Sequence, residues 1–398
     1  MSDDAGFGAL NGLRVIELGQ LIAGPFCGQL MADHGAEVIK VEAPEREDPM
    51  RHWGQKGPLW WPIISRNKKC ITLNLRVKEG QELLKELVKE SDILIENFRP
   101  GTMEKWGLGY EQLKAINPGL IMVRVSGYGQ TGPQSEKAGY GSIGEAMGGM
   151  RYLAGDPSLP PSRIGLSIGD SLAATYACLG ALMALRHRDQ KGEGQVVDSA
   201  IYEGVLAMME SVVPEYTQTG FVRERTGSFL PKLAPSNAYP TLDGDLIIGA
   251  NQDSIFGRLC DAMGRPDLAK DPKYIDHYSR GENQEELDVV IGNWSKTLSS
   301  DKVLGLMEQH GVPAGKIFTT EDMLDDPQYE ARQSITKVEH DEFDNLYMQN
   351  VAPKLSKTPG KICWAGGAKM GSHNDEVYGG LLKKDQDELN VLRDKKVI

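Results

Sequence analysis

A hydroxyl and a carboxylate that could each act as a nucleophile lie close together in residues 163–175. Asp170, in Gly169-Asp170-Ser171, opens a run of small and aliphatic residues from Leu172 to Leu185 that ends in Arg186, His187 and Arg188. This is the pattern of a helix with cations at its negative end. An Asp at the start of such a helix caps free N–H groups, and the positive helix end keeps it ionised. The simpler role is a plain N-cap. The sharper one is a nucleophile beside glycine backbone, where a substrate can approach. Gly165-Leu166-Ser167-Ile168-Gly169 fits G-x-S-x-G, and His277, His310, His340 and His373 follow it, so a serine hydrolase using Ser167 is an alternative. No HGGG-like segment precedes that Ser, and a chain with 46 Gly matches so short a pattern easily.

The elements that must position these residues read as α/β. Residues 13–18 and 37–41 are strands flanking a helix that runs from Gly24-Pro25 to His34. Together they make a strand–helix–strand unit of a parallel sheet. Residues 70–74, 93–96 and 121–125 are further buried strands, and an amphipathic helix covers 78–90. The last two strands lead into Asn97-Phe98-Arg99-Pro100-Gly101 and Ser126-Gly127-Tyr128-Gly129, loops of the kind that hold ligands in open α/β sheets. The helix after Asp170, apolar all round, is expected to be buried on every side. Another strand, 195–198, precedes a long helix through about Val213, and a Pro-, Gly- and Arg-rich stretch at 220–238 reads as a linker. The second unit beyond it has an Asp243-Gly244 hairpin, then helices near 254, 284–298 and 301–310. The tail from Val338 is polar and mixed.

Composition narrows the function. The chain has 398 residues, 44 Lys+Arg and 56 Asp+Glu, for a net charge of −12. That argues against nucleic-acid and anionic-membrane partners, while leaving room for a local basic pocket. Cys27, Cys70, Cys178, Cys260 and Cys363 are scattered and never in C-x-x-C, which fits a reducing, cytoplasmic setting without a zinc site. The seven His show no metal-ligand spacing, so no metal is expected. The acidic N-terminus is unlike a signal peptide, and no apolar run reads as long enough to span a bilayer. Gly127–Gly132 and Gly139–Gly144 both match G-x-G-x-x-G, but neither lies between a strand and a helix as a dinucleotide fingerprint requires. The basic residues Lys68, Lys69, Arg76, Arg99, Lys105 and Lys137 sit mostly near strand ends, where a solvated surface and a polyphosphate ligand are both open readings.

The ordered set of motifs resembles one family, the class III CoA transferases, which include formyl-CoA transferase and carnitine CoA transferase. The matching residues are Ala23-Gly24-Pro25, Gly35-Ala36-Glu37-Val38-Ile39-Lys40-Val41-Glu42, Asn67-Lys68-Lys69, Glu96-Asn97-Phe98-Arg99-Pro100-Gly101, Asn117-Pro118-Gly119, Lys137-Ala138-Gly139-Tyr140, Gly169-Asp170 and Lys191-Gly192-Glu193-Gly194-Gln195. Weaker agreement continues through Tyr239-Pro240-Thr241 and Gly311-Val312-Pro313. The resemblance implies a large Rossmann-like domain (1–215 plus 335–398) and a smaller α+β domain (220–330), in a homodimer of two interlocked chains. It implies Asp170 as nucleophile and CoA contacts at Ile22, Ala23, Leu73, Asn74, Arg76, Asn97, Phe98, Arg99, Lys105, Lys137, Ala138 and Tyr140. CoA and acyl-CoA enter as substrates, and no tightly bound cofactor is implied.

Two departures matter. Ala43 stands before Pro44 where formyl-CoA transferase has an Arg, so a phosphate contact is lost or passes to Arg46. Gly249-Ala250-Asn251-Gln252 stands where that enzyme has a tetraglycine lid, which speaks against oxalate as substrate. The related α-methylacyl-CoA racemases pair the equivalent Asp with a His in Ala-Gly-His; here Tyr140 takes that place, and a phenol with pKa near ~10 is a poor base. Transfer is therefore favoured over racemisation. The resemblance of the Asp48-Pro49-Met50-Arg51-His52-Trp53-Gly54 loop to members acting on small dicarboxylic acids implies such substrates, with succinyl-CoA as donor. Arg51 and Arg163 are the candidate partners of a second carboxylate. Glycine backbone at 169 or 249–252 is the candidate oxyanion donor.

Overall fold

The computed structural model describes residues 6–367 and 369–398. Short apolar runs form six strands: β1 (Arg14–Glu17), β2 (Glu37–Glu42), β3 (Lys68–Thr72), β4 (Ile93–Glu96), β5 (Ile121–Ser126) and β6 (Val196–Ala200). They pair in the order β3-β2-β1-β4-β5-β6, and every pairing is parallel. A parallel sheet is covered on both faces, which is why these strands are apolar throughout. Ile16, Ile39, Ile71, Leu94 and Met122 point to one face, and Val15, Val38, Ile93, Ile95 and Val123 to the other. Each such side chain, fully buried, contributes roughly 1.5–3 kcal/mol. The order reverses direction between β1 and β4, so the loops beyond their carboxyl ends diverge and open a crevice.

Helices cover the sheet. α1 (Ala23–Asp33) precedes β2, and α2 (Lys78–Lys89) buries Leu83, Leu84, Leu87 and Val88. α3 (Gly141–Met147), α4 (Ile168–Lys191) and α5 (Ile201–Leu206) follow β5. α4 buries a stripe of Ala173, Ala177, Ala181 and Ala184 in the core that includes Cys27 and Met31 of α1. It is not buried on every side: Leu179, Leu182 and Met183 are 45%, 39% and 62% exposed. Alanines suit the close approach to α1, and the larger side chains take the outer face. α4 also starts earlier than its Leu172–Leu185 apolar run. Its 24 residues contain an 18-residue window apolar enough that, among the described residues, this one helix does reach a membrane-spanning length and composition.

The chain forms two compact units, 1–150 with 165–213 and 330–398, and 151–164 with 214–329. The expected division placed 151–164 in the large domain. Its backbone instead bonds within the second unit, where Tyr152 O accepts from Arg225 Nη1 at 2.9 Å and Gly155 O from Gly227 N at 3.1 Å. The long helix expected through Val213 is broken after α5, where Glu210 takes a positive φ of 49°, and resumes as α6 (Val212–Thr219). The second unit has an antiparallel sheet of β7 (Ser236–Pro240), β8 (Asp245–Gly249) and β9 (Ala314–Lys316). α7 (Asp253–Ala262), α8 (Gln284–Ser295) and α9 (Ser300–His310) pack on it around Tyr239, Phe256 and Leu259.

The C-terminal segment is no loose tail. A hairpin of β10 (Ile335–Val338) and β11 (Leu346–Gln349) leads to α10 (Gln386–Asp394), which opens on an Asp385/Glu388 capping box. Tyr378, Leu389, Val397 and Ile398 join the core beneath β3. His373 Nδ1 accepts from Cys70 N at 3.0 Å and Asn374 Oδ1 from Thr72 N at 2.9 Å, so side chains close the open edge of β3.

Candidate active site

Asp170 lies in the first turn of α4, as the sequence implies, and is half-buried. Its immediate neighbour is the start of α3. A Cβ built on Gly141 would fall 2.2 Å from Asp170 Oδ2 and 2.7 Å from its Cγ, so the carboxylate rests directly on the Gly141 backbone. Glycine is required on the other side too, since a Cβ on Gly169 would meet Gly141 O at 2.9 Å and Glu145 Cγ at 3.0 Å. Further along, Gly144 and Gly148 let α3 approach Ile201 and Val205 of α5, at 2.4 and 2.6 Å from the built Cβ positions. The glycines of the second G-x-G-x-x-G match are thus contact points for a carboxylate and a helix. In the first match Gly127 packs on Gly139, with 2.8 Å from its built Cβ to the facing Cα. Lys137 and Ala138 are exposed on the loop that enters α3, and Tyr140, 67% exposed, is its N-cap.

Ser167 is the N-cap of α4, and no strand leads into it, so the strand–turn–helix setting of a hydrolase elbow is absent there. His277 bonds to Asn251 O, His340 to Glu342 N and Gly366 O, and His373 to Cys70 N. Three of the expected oxyanion donors are also engaged. Gly169 N faces Glu145 Oε1 at 3.4 Å, Gly249 N donates to Pro313 O, and Ala250 N to Pro235 O.

The carboxyl ends of β1, β2, β3 and β4 enclose a cavity of about 440 Å³. Leu73, Asn74, Arg76, Phe98 and Arg99, all expected CoA contacts, line it. Gln20, Arg46, Trp106 and Lys396 line it as well. Four cations (Arg46, Arg76, Arg99 and Lys396) and two carboxylates (Glu42, held by Arg51, and Glu45, paired with Lys396) line this space, an excess of positive charge on a chain of net charge −12. A tight turn, closed by Arg46 N to Ala43 O at 3.0 Å, brings Arg46 back beside Ala43. Phe98 and Trp106 meet edge to face at 5.4 Å and give the cavity an aromatic wall. Glu96 orients this loop, accepting from Phe98 N at 2.7 Å and pairing with Arg124 at 2.7 Å. Burial raises the Glu96 carboxyl to about 6, against the opposing pull of Arg124.

Other expected contacts lie off the cavity wall. Ile22 and Ala23 are buried at the start of α1. Lys105 is exposed, while Thr102 and Trp106 on the same helical turn face inward. Asn97 spends its carboxamide on the Gln20 backbone, accepting from N at 2.9 Å and donating to O at 2.8 Å. The next residue, Leu21, is left-handed at φ 62°, a conformation that costs on the order of 1–2 kcal/mol outside glycine. Arg51 is bidentate on Glu42 at 2.9 and 2.6 Å and lies 3.9 Å over the Trp61 ring, along the wall of a second cavity of about 410 Å³. Arg163 is exposed in the second unit.

The family model for CoA-transferase family III matches residues 10–374. The chain is 58% identical over 394 residues to the succinyl-CoA–D-citramalate CoA-transferase of Chloroflexus aurantiacus, covering 98% of both chains. It is 41% identical over 397 residues to the succinyl-CoA–L-malate CoA-transferase beta subunit from the same organism, again covering 98% of both. Its fold matches the crystal structure of a CAIB/BAIF family protein from Brucella suis with TM-score 0.83 and 33% identity, over 94% of this chain and 100% of that one. The motifs, the parallel sheet with its cationic crevice and these likenesses agree: the chain belongs to family III of the CoA-transferases.

Proposed function

We propose that this enzyme moves CoA from succinyl-CoA to a small dicarboxylic acid of the citramalate or malate type, with Asp170 as the covalent carrier. The observation that carries the mechanism is the Asp170 carboxylate seated on the Gly141 backbone at the start of α4. The acids are suggested by the substrates named for the two Chloroflexus relatives, which this chain matches nearly end to end.

The steps follow from carboxylate chemistry. Asp170 attacks the thioester carbonyl, the C–S bond breaks, and a succinyl–aspartyl anhydride and CoA thiolate form. The thiolate attacks the aspartyl carbonyl, releases succinate and leaves an aspartyl thioester of CoA. The acceptor carboxylate displaces the thiolate to give a second anhydride. Thiolate attack on its acyl carbonyl then yields the new acyl-CoA and restores Asp170. Each addition places negative charge on a carbonyl oxygen, which needs N–H donors fixed in advance. Gly169, Gly249 and Ala250 already donate internally, and the role is assigned to the amides at the start of α3 because Asp170 rests against them.

CoA itself is proposed to lie in the cationic cavity, with Arg46 supplying the phosphate contact missing at Ala43. The exposed Leu179, Leu182 and Met183 face of α4 supports the expected interlocked homodimer, in which self-association would cover it. The test is a coupled assay of succinyl-CoA with D-citramalate, L-malate, mesaconate and butyrate. Formation of the dicarboxylic CoA esters in preference to butyryl-CoA is expected; equal or exclusive use of butyrate would overturn the substrate class.

A further inference from the structure

Six ionisable side chains from β1, β2, the start of β3 and the turn after β2 meet in one buried cluster, and the covalent cycle uses none of them. Glu17, Lys40, Glu42, Asp48 and Lys68 are at most 2% exposed, and Arg51 joins them from the following turn. Their shortest contacts make three pairs of zero net charge: Glu17 with Lys68 at 2.7 Å, Glu42 with Arg51 at 2.6 Å and Asp48 with Lys40 at 2.8 Å, with Lys40 also 3.5 Å from Glu17. The first two pairs hold strands and a turn together. The third does something different, because both of its members reach out to the backbone of residues 19–21, the loop between β1 and α1. Lys40 Nζ donates to Gly19 O. Asp48 accepts from Leu21 N, with 3.1 Å to Oδ1 and 3.3 Å to Oδ2. Asn97 holds the Gln20 peptide N and O between these two points.

A non-glycine residue persists in a left-handed conformation only where its surroundings over-determine it. Leu21, at φ 62°, is such a residue, and an anionic acceptor aimed at its N–H is the strongest neutral-backbone tether available. Gln20, just before it, lines the cationic cavity, whereas Asp48 and Lys40 do not reach that space. We infer that the buried Asp48–Lys40 pair is a positioning device that fixes the backbone of residues 19–21 and thereby the Gln20 wall of the CoA cavity. This rests on the proposed placement of CoA in that cavity. Its consequence is selective: losing the pair weakens the CoA thioester and not the acceptor acid.

Removing both charges together is the informative change. In Asp48→Leu/Lys40→Met the Glu17–Lys68 and Glu42–Arg51 pairs stay balanced, and replacing a whole buried pair by apolar side chains is often neutral for folding. The variant is expected to melt close to the parent and to keep its KM for the acceptor acid. Its KM for succinyl-CoA, and its Kd for free CoA by calorimetry, rise about tenfold or more, the factor for losing a charge-assisted tether. A folded double variant with unchanged CoA KM and Kd overturns the inference. If the double variant does not fold, Asp48→Asn, which keeps the shape but not the charge, is read in the same way: unchanged CoA affinity overturns it. Arg76→Ser, assayed in parallel, separates the two readings. Should Arg76→Ser leave CoA affinity unchanged, the cavity assignment fails and the inference with it. Should Arg76→Ser weaken CoA while the double variant does not, the positioning role alone fails.

Discussion

The carboxylate of Asp170 lies on the backbone of Gly141, with no room between them for a methyl group. The atoms a new Cβ would meet belong to the far end of a side chain, so the side chain turns aside and the helices stay where they are. Gly141→Ala is therefore expected to fold with a melting temperature near the parent's and to lose about a hundredfold in kcat/KM, the scale of an ångström's misplacement of a reacting group. Circular dichroism and the transfer assay check the pair of outcomes. Full activity in a folded Gly141→Ala would mean that the Asp170 position seen here is not the reactive one.

The cationic cavity gives the second prediction. Arg46→Ser and Lys396→Ser should each raise KM for succinyl-CoA by roughly ten- to a hundredfold, as loss of one charged hydrogen bond at ~1.5–3 kcal/mol implies. Dephospho-CoA and higher ionic strength should narrow the difference between parent and variants, since both remove phosphate attraction. Equal losses with and without the 3′-phosphate would place these cations elsewhere on the ligand.

Acid selection is the third. Arg51 already shares its guanidinium with Glu42 and Trp61, so Arg51→Gln should lower stability and affect succinate and butyrate alike. A stable Arg51→Gln that loses succinate turnover about tenfold more than butyrate turnover would instead give Arg51 the distal carboxylate.

Glu96 supplies a pH test. Burial raises its carboxyl from 4.5 to about 6 in the folded protein. The fold thus favours the protonated form: its stabilisation is complete below 4.5 and is lost as pH rises through about 6, by on the order of 2 kcal/mol. Glu96→Gln lacks this term. Urea unfolding of both proteins should show the stability of the parent falling relative to Glu96→Gln across that window. A difference that is flat with pH would contradict the raised carboxyl.

Much of the first unit was legible because parallel strands are buried on both faces and read as unbroken apolar runs. Ile93-Leu94-Ile95 and Ile121-Met122-Val123 leave little else to be, and the loops beyond them carry Phe98 and Arg99 to the cavity. Local spacing also marked Asp170 at a helix start. What stayed hidden depends on distant partners. Lys396 reaches the cavity only because Val397 and Ile398 insert under β3, and nothing in a polar tail announces that. Arg151–Ile164 goes with the second unit through bonds to Arg225 and Gly227. Lys105, a CoA contact implied by the family resemblance, is exposed on a turn whose Thr102 and Trp106 line the cavity, a difference that its place in the motif does not show. The glycines at 139, 141 and 144 were visible as a cluster. Their use, close approach of Tyr128, Asp170 and α5, required knowing what lies opposite.

The central claim is that Asp170 becomes covalently acylated and then linked to CoA. Incubating the enzyme with succinyl-CoA, quenching with hydroxylamine or borohydride and mapping the peptides tests it directly. The account predicts an aspartyl hydroxamate, or homoserine after reduction, at position 170, absent from Asp170→Asn. A modified Ser167, or an unmodified Asp170 peptide in enzyme that is turning over, would contradict it.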